Sequence, residues 1–247
     1  MGQPFLVVPL SLRNKRMNFF KGIAEVFSTG KYMDAVWSGL KMTLLLTCGA
    51  AVLGLVLGII VAIMKIVSQT NKRLTALGTV ANVYIGVIRG TPVALQLFLM
   101  AFAIFAIRGF PLEITAIITF GINSGAYVAE NLRAGIQSVD KGQMEAGRSL
   151  GLTYGTTMKR IIIPQAIKNV IPAIGNELIA LLKETSIVSM VGLIDLTFAA
   201  KIIGAGQNMA NYIVPMSVAA AFYLVIVYLI AFVIKLIEKR LSRSDRN

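Results

Sequence analysis

The 247-residue chain is 56% hydrophobic and only 14% charged, which excludes an ordinary soluble domain and implies several membrane crossings. Its 24 Lys and Arg against 11 Asp and Glu give +13, and in an apolar chain that excess marks cytoplasmic loops, so no nucleic-acid partner is expected. There is no His, and the single cysteine, Cys48, sits inside an apolar run. Metal sites, disulfides and catalysis by thiol or imidazole are therefore disfavoured.

The chain begins MGQPFLVVPLSLRNKR, with its apolar run before its charges. That is the reverse of a secretory signal, and the hydroxyl residue of a myristoylation motif is missing, so the segment is read as mature sequence. Residues 1–41 form an N-terminal extension in which Asn18 to Leu40 is expected as an amphipathic helix on the outer surface. The surest span is Met42 to Met64, uncharged and long enough for a hydrocarbon core of roughly 30 Å. Its Gly54 and Gly58 form a GxxxG pair, suited either to close approach by another helix or to ordinary packing.

The stretch from Leu74 to Ile107 is interrupted by Arg89, Gly90 and Pro92 and is too long for one perpendicular helix. It reads as an interfacial approach followed by a second span near Thr91 to Ile107. A third span runs from about Pro111 to Ala129, a fourth lies within Ile171 to Leu193, and a fifth is Met209 to Ile234. The expected fold class is all-α, a polytopic bundle of about five transmembrane helices over residues 42–237, with a basic tail at 238–247. Positive charge gathers after span one, between spans three and four, and in the tail, which puts those segments and the C-terminus in the cytoplasm. The N-terminus is then outside, against the six Lys and Arg that precede the first span.

Between spans three and four, residues 145–166 read EAGRSLGLTYGTTMKRIIIPQA. After Gln137 the small residues Ala146, Gly147 and Gly151 and a proline at position 164 describe short helices broken by tight turns, a compact two-helix knob. Small side chains permit another protein to approach the backbone, and Glu145 can accept hydrogen bonds from it. The spacing of Glu145, Ala146, Gly147, Gly151, Ile161 and Pro164 resembles the EAA loop of ABC importer permeases, with Gly147 in place of the second alanine and Ile163 in place of the leucine.

Three further segments, VIRGTPVALQLF (87–98), GAYVAENLRAGI (125–136) and NELIALLKETSIVSMVG (176–192), resemble the polar amino acid branch of these permeases, which includes histidine, glutamine, arginine and cystine types. The resemblance covers roughly Met42 to Ile237. It implies a membrane permease that pairs with a second copy or a related permease, a dimer of ATPase subunits that bind ATP and Mg, and an external binding protein that delivers an amino acid. No GxxxxGK[ST] phosphate loop occurs, so ATP hydrolysis is expected in the partner, and this chain is expected to hold no cofactor and to be no enzyme.

A charge at membrane depth costs about 3 kcal/mol on insertion scales, so the fourth span's Glu177, Lys183 and Glu184, with Asn176, call for a reason. Gln96 in span two and Asn123, Ser124, Tyr127 and Glu130 in or beside span three add donors and acceptors that suit an α-amino acid. Each also has a plainer reading. Asn123 and Ser124 can bond across helices, Tyr127 can anchor at the interface, and Lys183 and Glu184 can pair with each other or with Arg89. Two other functions fit the same polar residues: an ion-coupled secondary transporter, and a membrane anchor that recruits a soluble partner without transport.

Overall fold

The computed structural model of the chain describes residues 10–205 and 212–243. The first nine residues, the last four, and residues 206–211 with the expected start of the fifth span lie outside them. The described residues are helical, with no strand among them. In chain order the helices are α1 (Leu10–Ser28), α2 (Gly30–Thr70), α3 (Thr75–Gly90), α4 (Val93–Leu99), α5 (Leu112–Gln137), α6 (Lys141–Ser149), α7 (Tyr154–Thr157), α8 (Ile163–Glu184), α9 (Leu196–Ala205) and α10 (Ile213–Arg243).

Among the described residues three helices are long and apolar enough to cross a membrane: Gly30–Gln69, Leu112–Gln137 and Ile213–Leu241. The pair Thr75–Gly90 and Val93–Ile104, bent by 103°, makes a fourth if it counts as one broken span. The expected fourth span, Ile171 to Leu193, falls on the later part of α8 and the 3-10 turn Thr185–Met190. α8 is more polar than the other three, because Gln165, Asn169 and Asn176 share one exposed face and Glu177 lies beside the apolar one.

The N-terminal region differs from the surface helix expected over Asn18 to Leu40. The chain breaks at Thr29, whose backbone is extended, and everything from Gly30 onward belongs to α2. At 41 residues and about 1.5 Å per residue, α2 is about 60 Å long, roughly twice the hydrocarbon thickness. Val26, Val36 and Leu40 are buried in one cluster with Leu196, Ile203, Val214 and Val218, so this region packs on α9 and the start of α10. The physical reason is that nothing near Lys41 stops a helix, whereas Thr29 and Gly30 do interrupt one.

α5 is the centre of the bundle. Of its most apolar stretch 61% is buried, against 28% for α2 and 11% for α10. It meets α2 along two reciprocal pairs of glycines. A methyl group on Gly54 would sit 2.9 Å from Ser124 Cβ, and one on Gly58 would sit 2.4 Å from Val128 Cγ1. From the other side, a methyl on Gly121 would sit 2.6 Å from Leu53 Cδ2, and one on Gly125 would sit 3.0 Å from Leu57 Cβ. Gly54 and Gly58 therefore serve close helix approach, the alternative to ordinary packing, and their partner is α5 of the same chain.

The bend between α3 and α4 follows from Pro92. A proline has no N–H, so the carbonyl of Ile88, four residues earlier, loses its helical donor. The Gln96 side chain replaces it, donating Nε2–H to Ile88 O at 2.8 Å and to Thr91 Oγ1 at 2.8 Å. Thr91 Oγ1 in turn donates to Val87 O at 2.9 Å. Asn123 of α5 then donates Nδ2–H to Gln96 Oε1 at 2.9 Å, which fixes the bend to the central helix. Nearby, Tyr84 donates its hydroxyl to Ile122 O at 2.5 Å.

Replacing Gln96 by Leu removes both halves of this link and leaves Ile88 O without that donor. We expect a loss of roughly 0.5–2 kcal/mol in stability, seen as a lower melting temperature of the detergent-purified chain. Asn123→Leu in the same chain should add less than its separate cost, because the two side chains share a bond. Fully additive losses would show that the link is not made.

Candidate functional site

The basic segment between α5 and α8 folds as a knob at one end of the bundle. α5 ends at Gln137, and Asp140 then caps α6 by accepting Gly142 N–H at 2.6 Å. α6 stops at a tight turn in which Gly151 N–H reaches Arg148 O at 3.0 Å and Leu152 N–H reaches Gly147 O at 3.1 Å. The turn needs Gly151 because its φ is +81°, a region that costs a side-chain-bearing residue about 1 kcal/mol or more. Thr153 caps α7, and a π turn over Met158–Ile162 carries the chain into α8.

The knob has its own small core of Val139, Met158, Ile162 and Ala166, with Ile136, Met144 and Ile161 packed against it. Gly147 is buried on the inner side of α6, where a methyl group would lie 2.6 Å from Thr157 Cγ2. Its smallness lets α6 and α7 close on each other. This corrects the expectation that Gly147 opens the backbone to a partner. Gly151 likewise meets a demand of the turn, with open space where a side chain would project.

The outward surface is made by other residues. Glu145, Ala146 and Pro164 are exposed, and Ile161 is half-buried. Leu150 is 80% exposed and Tyr154 41% exposed, which puts two apolar side chains at the tip of a basic knob. Neither stands out in sequence, since a lone leucine or tyrosine in a loop carries no pattern; the only signal is an unpaired apolar residue next to a turn glycine.

The knob is fastened to both helices that emerge from it. A methyl on Gly135 of α5 would fall 2.0 Å from Val170 Cγ2 of α8, so the two helices nearly touch. One turn further, Asn169 donates Nδ2–H to Ser138 Oγ at 2.9 Å. A push on the knob therefore moves the ends of α5 and α8 together.

Deeper in the bundle the structure divides the expected polar cluster into two groups. On one side of α5, Asn123 is occupied by Gln96, and the Arg89 guanidinium lies 5.0 Å from the centre of the Tyr127 ring. Glu130 on this side pairs with Lys65 at 3.0 Å, Arg133 at 2.7 Å and Arg89 at 3.8 Å. On the other side, Ser124 lies near Glu177 of α8, whose carboxylate is also in the fields of Arg89 and Glu184. Ser124 and Glu177 stand in the wall of a cavity of about 560 Å³ between α2, α5, α8 and α10 whose exposed surface is almost wholly apolar, so their oxygens do not open into it. Glu184 is half-buried beside it, while Asn176 and Lys183 point to the exposed side of α8. Lys65 was not among the expected site residues, although its place directly after an uncharged span marks it as a charge held at the membrane edge.

Among the described residues no group of His, Cys, Asp and Glu is arranged to hold a metal ion.

Residues 54–243 match the family described as binding-protein-dependent transport system inner membrane component. The chain is 40% identical over 212 residues to the arginine transport system permease protein ArtQ of Bacillus subtilis, spanning 85% of this chain and 94% of that one. It is 43% identical over 206 residues to the putative glutamine transport system permease protein GlnP of Rickettsia typhi, spanning 82% and 91%. Over 212 residues it is 37% identical to the L-cystine transport system permease protein TcyB of Bacillus subtilis, spanning 85% and 89%. Among solved structures, a crystal structure of an amino acid ABC transporter with histidines matches with a TM-score of 0.78 at 44% identity, covering 87% of this chain and 97% of that one. The inward-facing MetNI methionine ABC transporter shares the fold, with a TM-score of 0.72 at 19% identity over 86% of this chain and 99% of that one. The knob at residues 141–162 and the glycine-seamed bundle above it lie within the matched region, and the chain belongs to the binding-protein-dependent transport system inner membrane component family.

Proposed function

We propose that this chain is the permease subunit of an ATP-driven importer that carries a polar amino acid across a prokaryotic cell membrane. The observation that carries the proposal is the loop of Glu145, Ala146, Gly147, Gly151, Ile161 and Pro164, folded as an exposed knob clamped to α5 and α8. A partner ATPase dimer, binding ATP and Mg, docks on the knob through Leu150, Tyr154 and Glu145. A second permease subunit, either another copy or a related chain, completes the path. An external binding protein supplies the amino acid. The knob and the C-terminus face the cytoplasm and the N-terminus faces outward, in keeping with the loop charges.

In this reading nucleotide-driven closure of the ATPase displaces the knob. Because Gly135 and Val170 are in contact and Asn169 bonds Ser138, the displacement passes as a rigid shift into α5 and α8. Those helices carry Ser124 and Glu177, so the shift changes the surroundings of the polar groups between them, past which an amino acid would move. The carboxylate of Glu177, half-buried on α8, suits an α-ammonium or a cationic side chain of a solute passing between α5 and α8. Bistable packing of this kind converts a small displacement into a switch between inward and outward access.

Two experiments test the reading. A purified amino acid ABC ATPase should bind inside-out vesicles that carry the chain and not right-side-out ones. Leu150→Asp or Glu145→Ala should weaken that binding about tenfold or more and abolish ATP-dependent uptake, while the permease stays in the membrane. Binding from the other side, or full coupling in both variants, contradicts the assignment. For the substrate path, Glu177→Gln removes a charge-assisted bond worth roughly 1.5–3 kcal/mol, so apparent affinity for arginine or glutamine should fall about ten- to a hundredfold with the ATPase still bound. Unchanged uptake would take Glu177 off the substrate path.

A further inference from the structure

At the end of the bundle that bears the knob, three cations surround one carboxylate: Lys65 near the end of α2, Arg89 in the last turn of α3 and Arg133 near the end of α5 all reach Glu130. Arg89 is shared with Glu177, so Lys65 and Arg133 against Glu130 leave a local excess of one positive charge. Beside them is a cavity of about 320 Å³ lined by Lys65, Ser68, Gln69, Asn82, Glu130 and Arg133. An ion cluster that only pinned helices together would balance its charge and close around it. This one does neither, and the space exceeds what one or two waters fill, at about 30 Å³ each.

The donors are held in place. Glu130 accepts from Lys65 Nζ at 3.0 Å and from Arg133 Nε at 2.7 Å and Nη2 at 2.9 Å, which sets the two cations side by side. Arg133 Nη1 is steadied by Gln137. Among the described contacts Lys65 spends one of its three N–H donors on Glu130. Exposed Gln69 and Asn82 add amide donors at the mouth. The wall between α2 and α3 is drawn close at Gly78, where a methyl group would lie 2.3 Å from Ser68 Oγ.

The depth is also informative. Lys65 directly follows the uncharged run Met42 to Met64, and Glu130 and Arg133 follow the apolar part of α5, so the cavity lies at the level of lipid headgroups. Lys72 and Arg73 come next in sequence and add to the local positive charge.

We propose that this cavity binds a phosphate group, presented by the headgroup of an anionic lipid in the adjoining leaflet. The site requires only that the chain be embedded in a membrane and does not depend on the transport reading. Basic side chains at this level attract anionic lipid by about 1 kcal/mol each, and an enclosed, hydrogen-bonded arrangement selects the phosphate over diffuse attraction.

The test is native mass spectrometry of the purified chain in neutral detergent, with phosphatidylglycerol, with phosphatidylcholine of the same acyl chains, and with inorganic phosphate as competitor. We expect phosphatidylglycerol to be retained about fivefold or more over phosphatidylcholine and to be displaced by millimolar phosphate. Asn82→Asp adds a negative charge at the mouth and alters none of the ion pairs, so it should cut phosphatidylglycerol retention about fivefold at an unchanged melting temperature. Lys65→Arg should preserve it. Binding of inorganic phosphate without any preference between the lipids would overturn the lipid as the source. Equal retention of both lipids without phosphate binding, or an unaltered preference in Asn82→Asp, would overturn the site.

Discussion

The close contact of α2 with α5 is the interaction on which the rest of the molecule depends. Lipid tails are as apolar as leucine, so helices in a membrane gain little from hiding apolar surface against each other and must gain from packing and hydrogen bonds. Gly54 and Gly58 on one helix and Gly121 and Gly125 on the other let the backbones approach, and Leu53, Leu57, Ser124 and Val128 fill the opposing grooves. The approach makes α5 the most enclosed of the three long apolar helices. An enclosed helix is the one on which polar side chains can find protein partners instead of lipid.

Every other device attaches to that helix. Gln96 repairs the backbone that Pro92 interrupts, and Asn123 ties the repair to α5. Glu130 gathers Lys65, Arg89 and Arg133 at its end. Ser124 turns to the opposite side, toward Glu177 of α8. Beyond Gly135 the chain leaves the bundle, forms the knob and returns as α8 in contact with the same stretch. A single helix therefore joins the surface suited to a motor to the polar groups between α5 and α8.

Much of this is legible in the sequence where physics leaves a one-dimensional mark. Lipid demands uninterrupted apolar runs, so the cores of α2, α5 and α10 stand out, and the knob follows from its spaced small residues and turn signals. The partner of a glycine leaves no such mark, because Gly121 and Gly125 look the same whether they face a helix, a ligand or lipid. Gln96 reads as a pathway residue until Pro92 is seen to leave the carbonyl of Ile88 without a donor, a three-residue argument that periodicity does not contain. Gly147 reads as a docking gap because its real neighbour, Thr157, lies across a turn. The packing of the N-terminal region is hidden because its charges outweigh, by composition, the few buried residues Val26, Val36 and Leu40 that set it against α9 and α10.

The seam between α2 and α5 can be tested by exchanging the sizes of two facing residues. A methyl at position 58 already lies 2.4 Å from Val128 Cγ1, so Gly58→Val should cost roughly 1–3 kcal/mol and lower both the melting temperature and ATP-driven uptake. Adding Val128→Gly reopens the space, and the double variant should regain most of both losses, a coupling that independent sites do not show. If Gly58→Val leaves melting and uptake unchanged, or if the double variant loses the sum of the two single costs, the two helices are not held by this contact and the account of α5 as the organising element fails.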